Sequence, residues 1–261
     1  MNILEQIIGH KRKEIQLKKS AQPIARMMNS PLMERSVNSF TDSLRDKHKP
    51  GVIAEFKRRS PSEGMINAEA DVAEVTAGYA TYGASALSVL TDEDFFGGNS
   101  YDLGFARNNE NIPVLRKDFI IDEYQVAESK AIGADVILLI AAVLQPKEVQ
   151  QLTHFAHSLG LQVLLEIHTQ QELDRFCPGI DAIGINNRNL KTFTTDIQQS
   201  INLYPYLPAE VVKLSESGIK TPADAQQLLQ AGFDGLLIGS LFMREKVPHL
   251  AFADFIKGLQ K

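Results

Sequence analysis

An acid and a base two residues apart close an otherwise apolar run at 52–57, Val-Ile-Ala-Glu-Phe-Lys. If the run is a strand, Glu55 and Lys57 fall on the same face as Ile53. The pattern recurs along the chain. The run at 113–118 ends in Lys117 and Asp118, and the run at 162–168 brings Glu166 and His168. Asn186, Asn187 and Arg188 end a fourth run; Ser215, Glu216 and Ser217 end a fifth, and Gly239 and Ser240 a sixth. A lone lysine at a strand end is ordinarily the snorkelling start of a loop, and a single Glu–Lys pair can be a structural ion pair. Ionisable groups at the ends of five of these six runs are harder to assign to structure, because burying one unpaired charge costs on the order of several kcal/mol. Lysines and carboxylates gathered in one place supply the proton donors and acceptors of general acid–base chemistry.

Eight such apolar runs can be counted, at 52–56, 86–90, 113–117, 136–140, 162–167, 182–185, 211–215 and 235–239. Their starts lie about 20 to 34 residues apart, close to the ~30 residues of a strand–helix unit. Amphipathic stretches such as 122–133, 146–160 and 221–232 lie between them, several ending in a glycine suited to a helix C-terminus: Gly83, Gly133, Gly160 and Gly232. Regular alternation of strand and helix implies a parallel sheet. Eight units favour closure into a (βα)8 TIM barrel of the α/β class. The competing doubly wound sheet would be favoured by a glycine-rich turn after the first strand, and Lys-Arg-Arg-Ser-Pro-Ser-Glu-Gly is no such turn. The expected organisation is an N-terminal helical extension over 1–48 and a barrel over 49–261, a single catalytic domain overall. In this fold the strand C-termini form the active-site face, where all the ionisable groups above would meet. Ser217-Gly218 and Gly239-Ser240 end the last two strands, and small residues there let backbone N–H groups approach a phosphate.

Net charge of −5 gives no general attraction to nucleic acid or anionic membrane. The longest apolar stretch, 136–144, is too short to span a bilayer, and charges interrupt the N-terminus too often for a secretory signal. Ile3, Leu4, Ile7 and Ile8 instead share a helical face that Ile15 roughly extends. Cys177 is the one cysteine, which fits a reducing compartment, and no His/Cys/Asp cluster has metal-ligand spacing. The expectation is a soluble, cytoplasmic protein acting on a phosphorylated small molecule, with no nucleic-acid or membrane partner, and taken as a monomer.

Six motifs carry a family resemblance: VIAEFKRRSPSEG, ALSVLTDEDFFGG, PVLRKDFIIDEYQ, GADVILLIAAVL, GINNRNLKTF and LSESGI. In this order, from about residue 50 to 245, the chain resembles indole-3-glycerol phosphate synthase, a family with an extra helical segment before its barrel. The resemblance implies a step of tryptophan biosynthesis, in which 1-(2-carboxyphenylamino)-1-deoxyribulose 5-phosphate closes to an indole with loss of CO2 and water, without cofactor or metal. It gives Lys117 the part of the acid that polarises the ketose carbonyl, a role for which burial and neighbours would have to tune the lysine. Lys57 would hold the substrate carboxylate and also reach the phosphate. Protonation of the departing hydroxyl and removal of the ring-nitrogen proton would be shared among Glu166, Glu55 and Lys57, and the assignment among them stays open. Asn186 and Arg188 would position substrate, with Ser60 and Ser217 nearby; Phe96 and Phe119 would cover the aromatic ring; Gly218, Gly239 and Ser240 would hold the phosphate. One departure is Leu241-Phe242, where the family commonly has a small residue followed by leucine. Two rival readings are an aldolase with a Schiff-base lysine on strand six and a non-catalytic metabolite-binding barrel. Strand six ends in Asn-Asn-Arg without lysine, which speaks against the first, and the complete acid–base set speaks against the second.

Overall fold

The computed structural model describes residues 3–108, 111–189 and 194–259; residues 190–193, the end of the motif GINNRNLKTF, lie outside it. Eight strands form a closed barrel: β1 (Val52–Phe56), β2 (Ala86–Leu90), β3 (Val114–Lys117), β4 (Val136–Ile140), β5 (Gln162–Ile167), β6 (Ala182–Asn186), β7 (Val212–Glu216) and β8 (Gly235–Ile238). They are parallel and neighbour one another in chain order, with β8 closing on β1 through Val52↔Leu236, Ile53↔Leu237 and Ala54↔Ile238. Each apolar run read from the sequence is one of these strands, displaced by at most one residue at an end.

Strand parity sorts the side chains into two cores. Val52, Ala54 and Phe56 of β1 point outward into the layer between strands and helices, with Val163, Leu165 and Ile167 of β5. Ile53, Leu115, Leu138, Leu164, Val212, Leu214 and Leu237 point inward and fill the barrel. The helix Phe40–Arg45, started by Ser39 whose hydroxyl accepts the Asp42 N–H, drives Phe40 and Leu44 into this inner core. It closes the N-terminal end of the barrel: Ser43 Oγ donates to the carbonyl of Ser85 just before β2, and the Phe40 N–H donates to Gln162 at the start of β5.

The N-terminal helix Ile3–Ala21 lies across the opposite end. Ile7 and Ile15 are buried as the apolar pattern predicts, but so is Lys11, at 1% exposure. Its ammonium sits 2.9 Å from Asp92, 3.1 Å from Asp118 and 2.8 Å from Glu14. These carboxylates join a larger ionic ring, since Asp118 and Glu128 both pair with the buried Arg116 and Lys18 bridges Glu14 to Glu128.

Candidate active site

The inward residues at the C-terminal ends of the strands surround a cavity of ≈ 200 Å³. Glu55, Lys57, Ser60, Phe96, Lys117, Phe119, Glu166, Asn186, Arg188, Ser217, Gly218, Gly239 and Ser240 all line it. Parity explains why. Glu55 continues the inward series from Ile53, Lys117 follows Leu115, and Glu166 follows Leu164, so each charged residue takes the next inward position above an apolar layer.

Lys117 is the centre of the cluster. Its Nζ donates to Glu166 Oε2 at 2.7 Å and to Glu216 Oε2 at 2.9 Å. Lys57 pairs with Glu55 Oε1 at 2.9 Å. Burial by itself would lower the proton affinity of Lys117, but the charges of Glu166, Glu216 and Glu55 outweigh it and hold the ammonium well above the ordinary lysine range. The neighbours thus tune Lys117 toward its charged form rather than toward neutrality. Burial likewise opposes ionisation of Glu166, yet Lys117 and His168 keep its carboxyl below the usual range. For Glu216 burial wins, helped by the neighbouring Glu166 and Glu55 charges, and its pKa is pushed up to about 7. An acid raised toward neutrality thus lies beside a carboxylate and an ammonium, an arrangement able to move protons near neutral pH.

Glu216 was visible in the sequence only as one polar residue among several at the end of strand seven. Its signal is inward parity two residues after Leu214, together with Gly184 on the adjoining strand: any side chain there would collide with Glu216 Oε1. Gly239 has the same relation to Glu55, whose carboxylate occupies the space a Cβ would take.

Not every polar residue at the strand ends serves the cavity. Asp118 borders the cavity, but its buried carboxylate is taken up by other partners, accepting from Thr91 Oγ1 at 2.6 Å and pairing with Arg116 and Lys11. Asn187 is buried, and its amide donates to Ser215 Oγ and to the Ser217 carbonyl while its oxygen accepts from Ser200. That bracing holds Ser217 in a left-handed conformation (φ 68) followed by Gly218 (φ 79), a backbone that only glycine adopts freely. The next helix, Pro222–Gln230, starts four residues later and is capped by its own Thr221. After β8 the helix Ser240–Met243 begins at Ser240 itself. Of the two departing residues, Leu241 lines the cavity, whereas Phe242 turns away into an aromatic cluster with Phe252 (5.3 Å) and Phe255 (5.4 Å).

The opposite wall is apolar. Phe96 and Phe119 lie 5.9 Å apart, and Ile3, Leu4 and Ile7 of the N-terminal helix complete that side with Leu138 and Ile140. Asp92 accepts the Phe96 N–H, and Asp118 accepts the Phe119 N–H at 2.8 Å, so both aromatic residues hang from the carboxylates that hold Lys11. His168 is nearly buried, with its ring nitrogens 3.7 Å from Glu166 and 3.7 Å from Glu172. His157 pairs with Asp181 on the outer surface at 3.0 Å, as a residue of an outer helix should. Among the described residues, no group of three His, Cys, Asp or Glu side chains could hold a metal ion, and no helix is long and apolar enough to cross a membrane.

A closed parallel barrel with acid–base groups, an apolar wall and a glycine–serine edge at its C-terminal mouth defines a TIM-barrel enzyme. The family model for indole-3-glycerol phosphate synthase matches residues 4–255. Indole-3-glycerol phosphate synthase from Bacteroides thetaiotaomicron is 47% identical over 259 residues, covering 99% of both chains. That from Chloroherpeton thalassium is 45% identical, covering 92% of this chain and 94% of its own. Among solved structures, 3-hexulose-6-phosphate synthase from Salmonella typhimurium superposes with a TM-score of 0.63 over 80% of this chain and 98% of that one, at 13% identity, a likeness of fold alone. The chain belongs to the indole-3-glycerol phosphate synthase family, carboxy-lyases of tryptophan biosynthesis.

Proposed function

We propose that this cavity closes 1-(2-carboxyphenylamino)-1-deoxyribulose 5-phosphate to indole-3-glycerol phosphate, with Lys117 as the acid that polarises the ketose carbonyl. The observation that carries this reading is the Lys117 ammonium held between Glu166 and Glu216 at the floor of the cavity. A cation there stabilises the negative charge that grows on the carbonyl oxygen as the aromatic carbon attacks. The new C–C bond forms at the carbon bearing the carboxylate, which leaves as CO2 and restores aromaticity. The former carbonyl oxygen, now a hydroxyl, departs as water once protonated, and the ring nitrogen loses its proton. Glu166, Glu55 and Lys57 divide these two transfers.

Lys57, 13% exposed and facing both Glu55 and the mouth, is the cation for the substrate carboxylate and for the near side of the phosphate. Asn186, Arg188, Ser60 and Ser217 orient the sugar chain. Phe96 and Phe119 cover the aromatic ring, while Gly218, Gly239 and Ser240 receive the phosphate. A Schiff-base mechanism would need a neutral lysine, whereas Glu166 at 2.7 Å and Glu216 at 2.9 Å favour the ammonium form of Lys117. The reading extends to a monomer working in the cytoplasm, tested by light scattering and by fractionation.

Turnover can be followed directly. The chain contains no tryptophan, so indole fluorescence from the product rises without an enzyme background. Lys117→Ala abolishes the rise while substrate still binds; retained turnover removes Lys117 from the acid role.

A further inference from the structure

The hairpin after β1 carries a carboxylate that the reaction above does not use. Its short strands, Arg59–Ser60 and Gly64–Met65, pair antiparallel. Ser60 Oγ accepts the Glu63 N–H at 3.2 Å and shapes the turn between them. At its far end Asn67 donates to the carbonyls of Met243 (3.2 Å) and Glu245 (3.4 Å), tying the hairpin to the chain that follows β8.

This path turns the Glu63 side chain inward, leaving it 14% exposed. Its Oε1 accepts from Arg188 Nη2 at 2.8 Å and from Ser240 Oγ at 3.2 Å, and its Oε2 lies 3.2 Å from Arg244 Nη2. Burial opposes ionisation of Glu63, but Arg188, Ser240 and the charge of Lys57 prevail and hold its carboxyl below the usual range. Guanidinium groups and a hydroxyl arranged about one anion are the donors a phosphate takes. A phosphate and the carboxylate cannot share them, because two anions in contact repel.

We propose that Glu63 is an internal anion that sits at the edge of the phosphate subsite and sets its affinity, the substrate's phosphate displacing its carboxylate from Ser240 and so releasing Arg188 to the sugar chain. The proposal rests on the reading of Gly239 and Ser240 as phosphate-binding. Apparent affinity falls by the fraction of molecules in which a site is clear. A subsite clear in about one molecule in ten therefore binds phosphate about tenfold more weakly than one left open.

Inorganic phosphate is the probe, its dissociation constant measured calorimetrically on the whole chain and, separately, as competitive inhibition of turnover. Glu63→Gln, which keeps the shape and removes the charge, binds phosphate about tenfold more tightly than the unmodified protein. Glu63→Ala does the same, and thermal melts establish that each variant is folded; should the alanine variant not fold, the glutamine variant decides. Ser240→Asp, which fixes a carboxylate at the same edge, abolishes phosphate binding. Unchanged or weaker binding by Glu63→Gln, with Ser240→Asp still disruptive, makes Glu63 a mere support for Arg188 and overturns the proposal while the subsite stands. Indifference of phosphate binding to Ser240→Asp overturns the subsite reading and the proposal with it.

Discussion

Lys117 and Glu216 touch at 2.9 Å, yet burial decides the proton affinity of only one of them. Burial works against the charge on each: for Glu216 it prevails, whereas for Lys117 the facing acidic groups outweigh it. The consequence for Glu216 can be measured. In the unfolded chain it releases its proton near 4.5, and in the folded protein near 7. Between those values the unfolded state has lost a proton that the folded state keeps, so the contribution of this group to stability falls as pH rises through that window. Urea denaturation at pH 5 and pH 7.5 should show a larger fall for the unmodified protein than for Glu216→Gln, where nothing titrates. Equal falls would mean that Glu216 ionises as an ordinary glutamate.

At the scale of the element, the N-terminal helix is fastened by a charge rather than by its apolar stripe alone. Lys11 occupies a position where Ile7 and Ile15 lead one to expect a hydrophobe, and it is satisfied by Asp92, Asp118 and Glu14. The first two also hold the N–H groups of Phe96 and Phe119, so the helix and the aromatic wall depend on one ammonium. Lys11→Ala leaves two buried carboxylates without that partner. The expected loss is about 3–5 kcal/mol of unfolding free energy, with a severalfold rise in KM as the aromatic wall loosens. A stability loss below ~1 kcal/mol would show that Arg116 and solvent suffice for Asp118 and Asp92. The helix itself was legible from its periodicity; its ionic fastening was not, because the partners lie about 80 and 107 residues further along the chain.

The whole molecule divides its labour between the two ends of the barrel. Phe40, fully buried, closes the N-terminal end, far along the strands from the charged mouth. Truncating it to alanine should cost about 3–5 kcal/mol through the cavity left in the inner core. Since the mouth is built from separate layers, kcat should stay within about twofold; a collapse of kcat in a protein that still folds would show that the inner core transmits strain to Lys117. The two ends differ because stability needs apolar layers without gaps, whereas chemistry needs charges held in a dry recess.

Strand positions, inward parity and closure were written in the sequence, because a side chain's face follows from its place in an alternating run and eight such runs have few ways to pair. That is why Glu55, Lys57, Lys117, Glu166 and Asn186 could be placed at one mouth from residue types and spacing. The tertiary structure alone decided which charge meets which. Lys117 finds Glu166 and Glu216 at separations of 49 and 99 residues, and Glu63 bends back onto Arg188 across 125. Such pairings, and the proton affinities they impose, depend on stagger around the barrel and on the path of a loop, and electrostatic energy at these distances changes with every ångström that local sequence pattern does not specify.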